Sequence, residues 1–176
     1  MVILDRLEVA DLKSYRDEIE SLAHPDKSCG FICGKADMAT WNPLEICHLL
    51  HSTRDYYGEL RAFVPAYTDN DIRNFVKMSV NNLYHEICHR HIHAKAENTA
   101  AALPGIYKGV FFILQNRYYL THGRFPTTKA ELLRLTQGLD RAVMERAAAL
   151  NKGISFDFED SFALLFTWCQ ETMKSL

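Results

Sequence analysis

Nine consecutive residues, HEICHRHIH from His85 to His93, contain four histidines, a glutamate and a cysteine. The first five letters match H-E-x-x-H, in which two histidines one helical turn apart bind zinc and the glutamate acts as general base. His85 and His89 are therefore candidate metal ligands, and Glu86 is a candidate catalytic base. A catalytic zinc needs a third protein ligand, for which His48 and His51 on another predicted helix are candidates.

A helical wheel places these histidines on one side of the predicted helix. At about 100° per residue, His85, His89 and His93 share a face, opposite the apolar stripe that should enter the core. The alternative interpretation is that these residues form a polar helix face or a docking surface. His93 is then a candidate contact for a ligand or a partner. Zinc is the only cofactor that the sequence suggests, and no other cofactor is predicted.

A second short motif, R-x4-H, lies further along the chain at Arg117 and His122. It is the minimal arginine–histidine motif of the helical HEPN ribonucleases, in which the two side chains activate a ribose hydroxyl and stabilise phosphate charge. Tyr118 stands where a polar residue is common in that motif. A helix-end histidine and an arginine on a solvated helix face are the alternative interpretation.

The composition excludes several classes of protein. The 176 residues carry 20 basic and 22 acidic side chains, a net charge of -2, which gives no electrostatic signal for nucleic acid or a membrane surface. The first residues lack the apolar region of a signal peptide, and no apolar run approaches transmembrane length. Five cysteines without an export signal are typical of reduced thiols. We expect a cytoplasmic domain without a membrane partner.

The elements that must position these residues are mainly helical. Apolar spacing, caps and breakers predict a mainly α fold, a bundle of about six or seven helices, with at most a short β segment near residues 29–33. The longest helix begins at Thr68 and carries the histidines, and another begins at Pro104 and ends at Gly123. We expect residues 1–40 to contain an N-terminal helix and the short strand, and residues 41–176 to form the helical bundle domain.

Two stretches of the chain resemble a known family. They are LPGIYKGVFFILQNRYYLTHGRFPTTKAELLRL, which begins at Leu103 and is followed by RAVMERAAAL, and the earlier WNPLEICHLLHSTRDYYG. Together they resemble the helical C-terminal domain of nucleotidyltransferase-fold proteins, of which the aminoglycoside adenylyltransferases are the best known. In that family a long apolar helix ends in a Thr-Gly-like turn, here Tyr119–Gly123, and a Thr/Ser-Lys segment opens a shorter helix, here Thr127–Glu131.

The chain departs from this family in its catalytic residues. A nucleotidyltransferase holds magnesium with an Asp-x-Asp pair downstream of a Gly-Ser loop, but this sequence has no Gly-Ser, and Asp69 and Asp71 have no such loop upstream. The resemblance thus implies a helical module without the catalytic half, which was lost, lies on another chain, or precedes this one in a longer protein. Residues 1–40 are then a possible remnant of its sheet.

Three functions follow from these observations. The favoured one is a substrate- or partner-binding module that has no activity as an isolated chain, whose partner is a nucleotidyltransferase domain or an unknown small molecule. Trp41, Tyr56 and Tyr57 are candidates for its binding surface. The alternatives are a metal-dependent hydrolase using the HEICH helix and a HEPN-like ribonuclease using Arg117 and His122.

Overall fold

The computed structural model describes residues 1–176, apart from the side chain of Ala96. It confirms the predicted mainly α fold and helical bundle. Helices α1 to α9 span, in order, Val9–Glu20, Lys35–Ala39, Pro43–Ser52, Asp69–His93, Ala96–Ile106, Lys108–His122, Lys129–Leu135, Gly138–Asn151 and Phe158–Lys174. Strands β1 and β2 span Val2–Leu4 and Ile32–Gly34. None of the helices in the described part of the chain is long and apolar enough to cross a membrane.

The central helix α4 begins where the sequence predicts. The Thr68 side chain accepts a hydrogen bond from the Asp71 backbone N–H at 3.3 Å, and the Asp71 carboxylate accepts one from the Thr68 N–H at 2.8 Å. These bonds satisfy two donors that the first turn would otherwise leave without partners. The hydrogen bonds from Thr68 also lower the pKa of Asp71. One capping box of two reciprocal hydrogen bonds therefore fixes the first turn of the helix that carries the histidines.

The core forms around α4, which packs against α6 and α9. Its buried face is a stripe at helical spacing, Ile72, Val76, Val80, Leu83 and Ile87. Leu114 of α6 and Leu165 and Trp168 of α9 are buried in the same cluster. Each such side chain contributes roughly 1.5–3 kcal/mol when it leaves water, so this stripe fixes which side of α4 faces inward.

Helices α5 and α6 follow each other almost directly and meet at Tyr107. The sequence predicts that Pro104 starts a helix, but Pro104 lies inside α5 instead. Proline has no backbone N–H and crowds the preceding turn, which favours a break or bend nearby. The Tyr107 ring is fully buried, and its hydroxyl donates a hydrogen bond to the Ser161 carbonyl oxygen at 2.7 Å. The junction is therefore anchored to α9.

The first 40 residues form a small β-α-β unit. Strands β1 and β2 pair in parallel, with Val2 opposite Ile32 and Leu4 opposite Gly34. The predicted short strand near residues 29–33 is thus present, and its partner β1 is an element that sequence reasoning missed. None of the residues of α1, all of which the structure describes, is buried, and Val9 is 84% exposed. The boundary between residues 1–40 and 41–176 stays a prediction.

A polar contact joins three helices of the bundle. One carboxylate oxygen of Asp140 on α8 accepts hydrogen bonds from Trp168 Nε1 at 2.8 Å and from the Arg117 guanidinium at 3.0 Å. Arg117 also donates to the Thr172 hydroxyl at 3.3 Å. Trp168 is buried, while the Asp140 and Arg117 side chains are only about a quarter exposed. This contact holds α6, α8 and α9 together.

Removal of the shared acceptor should therefore destabilise the fold. Asp140→Ala leaves the Arg117 charge and the indole N–H of Trp168 without their partner, and we expect a loss of about 2–3 kcal/mol in the free energy of unfolding. Urea denaturation measures this quantity. Glu145→Ala on the same helix is the matched control, because its ion pair with Arg141 is exposed and should contribute less than about 0.5 kcal/mol. Equal losses in both variants would contradict the role given to Asp140.

Candidate functional site

A cleft of about 820 Å³ opens between α3, α4 and the junction of α5 with α6. Its volume lies within the range of roughly 300–1,000 Å³ typical of small-molecule sites. Four aromatic residues contribute to its walls: Phe31, Trp41, Phe75 and Phe112. Six polar residues also face it: Glu45, His48, Ser79, Asn82, Glu86 and Arg90. Apolar walls with a few polar groups are the usual composition of a ligand site.

Two glycines keep the cleft open. Gly105 and Gly109 both line it, and a Cβ atom added at either position would meet no atom within 4 Å. Glycine is unfavourable inside helices by roughly 1 kcal/mol relative to alanine, and here the missing side chains leave space. Residues four apart lie on one side of a helical segment, so the letters GIYKG are a sequence signal for this open surface.

One end of the cleft is formed where α3 begins. Asn42 caps the helix, so Trp41 lies just before the cap and Glu45 lies in the first turn. The Trp41 indole N–H donates a hydrogen bond to the Glu45 carboxylate at 2.6 Å. The Phe31 ring meets Trp41 edge to face, with ring centres 5.2 Å apart. Trp41, predicted as a ligand or partner contact, thus lies in the cleft.

An ion pair on α4 also contributes to the lining of the cleft. Arg90 Nε donates to the Glu86 carboxylate at 3.0 Å, and each side chain is a little over 40% exposed. Glu86, the candidate general base, therefore lines the cleft with a cation beside it. The same two residues also border the histidine face on the other side.

Two histidines of α3 lie among aromatic side chains. The His48 ring contacts Phe112 with centres 5.3 Å apart, and the His51 ring stacks on Phe125 at 4.9 Å. Their buried nitrogens, His48 Nδ1 and His51 Nε2, have no hydrogen-bond partner among the described residues. Burial lowers the pKa of both imidazoles; Glu45 opposes this for His48, and Arg61 adds to it for His51. Both are therefore neutral at physiological pH.

The predicted histidine face is present on α4. His85, His89 and His93 are all exposed, and their successive ring centres are 5.9 and 4.7 Å apart. With Glu86 and Arg90 they border a second, shallower depression of about 510 Å³. Among the described residues, no group of three or more His, Cys, Asp or Glu side chains could hold one metal ion. His48 lines the cleft and not this depression.

The structure places Arg117 and His122 in different surroundings. Arg117 contacts Asp140 and Thr172 between the helices, whereas His122 is exposed at the end of α6. The His122 ring stacks on Tyr118 with centres 4.0 Å apart, and its Nδ1 lies 3.1 Å from the Tyr118 carbonyl oxygen. The guanidinium thus already has internal partners.

The two predicted surface tyrosines lie outside the cleft. Tyr56 and Tyr57, in the segment after α3, are 89% and 102% exposed. The Arg54 guanidinium lies over the Tyr56 ring at 5.5 Å. Of the three aromatic residues named from the sequence, only Trp41 therefore lines the cleft.

No family model matches the chain, and neither a curated protein nor a solved structure matches it.

Acidification should destabilise the fold through the two histidines of α3. Their pKa values are lowered in the folded protein, so the unfolded chain binds more protons as the pH falls through the ordinary histidine value of about 6.5. The free energy of unfolding should therefore decrease between about pH 7.5 and about pH 5. Urea denaturation at several pH values measures the slope.

A double variant tests whether His48 and His51 cause the pH dependence of the free energy of unfolding. His48→Gln combined with His51→Gln replaces both imidazoles by side chains that do not titrate, so the slope should become smaller even if overall stability changes. His24→Gln, at an exposed position, is the control and should keep the wild-type slope. An unchanged slope in the double variant would show that these histidines do not cause it.

Proposed function

We propose that this chain is a binding module, without catalytic activity on its own, that holds a small molecule in the cleft between α3, α4 and the α5–α6 junction. The observation that carries the proposal is the cleft, whose volume and aromatic walls suit an organic ligand. The polar pairs Trp41–Glu45 and Glu86–Arg90 line this cleft together with its apolar side chains. A ligand with both an apolar body and polar groups matches this lining.

The partner that we propose for this module is a nucleotidyltransferase-type catalytic half. The resemblance seen in the sequence suggests it, and the β1–β2 pair supports it. Parallel sheets normally have more than two strands and helices on both faces. Here each strand has three residues and one edge without a neighbouring strand in the described structure. A further parallel strand of the partner would extend this sheet, and the exposed Val9 and Leu12 of α1 would be covered.

The two catalytic alternatives find less support in the geometry. A zinc hydrolase needs a third protein ligand beside His85 and His89, and the described residues supply none. A HEPN-like ribonuclease needs the Arg117 guanidinium for phosphate, but this group contacts Asp140 and Thr172. The hydrolase would need a further metal ligand, and the ribonuclease would need Arg117 to leave its partners Asp140 and Thr172.

Filling the cleft should block ligand binding without unfolding the protein. Gly109→Leu directs a new apolar side chain into open space. We expect the variant to bind the dye anilinonaphthalene sulfonate at least about tenfold more weakly than the wild type, a change of about 1.4 kcal/mol. Dye fluorescence and calorimetry measure the affinity, and circular dichroism confirms the fold.

Lys108→Leu is the matched control for this variant. It adds the same side chain one residue earlier, at an exposed position of α6 that does not line the cleft, so dye affinity should stay at the wild-type value. If Gly109→Leu binds the dye as tightly as both other proteins, the cleft is not the binding site and the proposal fails.

The proposed need for a further strand predicts unequal backbone protection in the isolated chain. Amide hydrogens of β1 and β2, such as those of Leu4 and Cys33, should exchange orders of magnitude faster than those of Val80 and Leu114 in the core. Hydrogen exchange followed by mass spectrometry or NMR measures both sets in one sample. Comparable protection would mean that the two-stranded sheet is stable by itself, which would remove the support for a strand from a partner.

A further inference from the structure

The exposed face of α4 carries a row of three histidines. His85, His89 and His93 follow each other at four-residue spacing, so each ring lies one helical turn from the next. The ring centres of the first pair are 5.9 Å apart and those of the second pair 4.7 Å apart. His89 is the middle member and belongs to both pairs.

The backbone beneath this row is helical and is anchored on its other side in the core. The opposite side of the same turns is anchored in the core by Leu83 and Ile87. At the C-terminal end, the Ala94 N–H donates to the Arg90 carbonyl oxygen at 2.9 Å, so the helical hydrogen bonding continues past the last histidine. Three imidazoles are thus presented to solvent from a fixed scaffold, which lowers the cost of bringing two of them to one ion.

We infer that this row binds one divalent transition-metal ion per chain, held by His89 together with His85 or His93. Imidazole nitrogens suit zinc, nickel and copper, and zinc binds them at about 2.0–2.1 Å. An ion at that distance from one nitrogen of each ring fits between rings whose centres are 4.7 or 5.9 Å apart. Because both pairs share His89, the row holds one ion at a time.

The surroundings favour an open site. Arg90 is the nearest cation along the helix, and its charge is offset by Glu86 at 3.0 Å. Since the described residues offer no third protein ligand, water completes the coordination shell. The site is therefore exchangeable, in contrast to a closed four-ligand structural zinc. None of the three histidines lines the ligand cleft, although Glu86 and Arg90 border both surfaces.

Calorimetric titration of tag-free, metal-stripped protein with Zn²⁺ and Ni²⁺ tests the inference. The wild type should bind one ion per chain. His89→Ala should lower the affinity at least about tenfold, since loss of even an outer-shell partner of a ligand costs roughly 10- to 100-fold. His85→Ala and His93→Ala each leave one pair intact, so each should bind more tightly than His89→Ala.

His91→Ala is the matched control. His91 belongs to the same helix and motif, but its ring stacks on Phe162 at 4.3 Å, outside the row, and its removal should leave metal affinity unchanged. Line broadening by Ni²⁺ in NMR spectra should centre on residues 85–93 and disappear in His89→Ala. Absence of binding by the wild type, or equal affinity in wild type and His89→Ala, would overturn the inference. Circular dichroism confirms that each variant is folded.

Discussion

The burial of one apolar stripe of α4 against α6 and α9 is the constraint on which the arrangement of this protein depends. Val76, Val80 and Ile87 are almost completely excluded from solvent, and their burial fixes the rotation of the helix about its own axis. With that rotation set, Phe75, Asn82 and Arg90 of α4 line the cleft. The exposed histidines lie beside them on the same helix, and Glu86 and Arg90 border both surfaces. Burial of this one stripe therefore positions both the cleft lining and the histidine row.

The cleft arises where helical packing is interrupted. Pro104 lies within α5, the chain passes through Tyr107, and α6 continues with Gly109 in its first turn. Gly105, near the end of α5, and Gly109, at the start of α6, both line the cleft. Because neither has a side chain, the space between this junction and helices α3 and α4 stays open. The anchoring of Tyr107 to the Ser161 carbonyl holds this junction against α9. The open volume is thus supported by the core beside it.

Features set by residues close in sequence could be predicted, and those set by distant residues could not. The Thr68 cap, the stripe of α4 and the helix end at Gly123, whose φ is +65°, follow from local spacing and backbone preference. The histidine row was predicted for the same reason. The structural partners of Arg117 were missed because Asp140 and Thr172 lie 23 and 55 residues away. The cleft was missed because its walls join Phe31 of the N-terminal unit to Phe112 of α6.

The double use of a single Asp140 oxygen has a consequence for cooperativity. Helices α6 and α9 each contribute one donor, Arg117 and Trp168, to the same acceptor on α8. Any partly unfolded form that detaches α8 would leave both donors without their partner, one of them a charge that is largely removed from water. The free energy of such forms is therefore raised by the loss of two hydrogen bonds, one from Arg117 and one from Trp168. The three helices should therefore open and close as one unit.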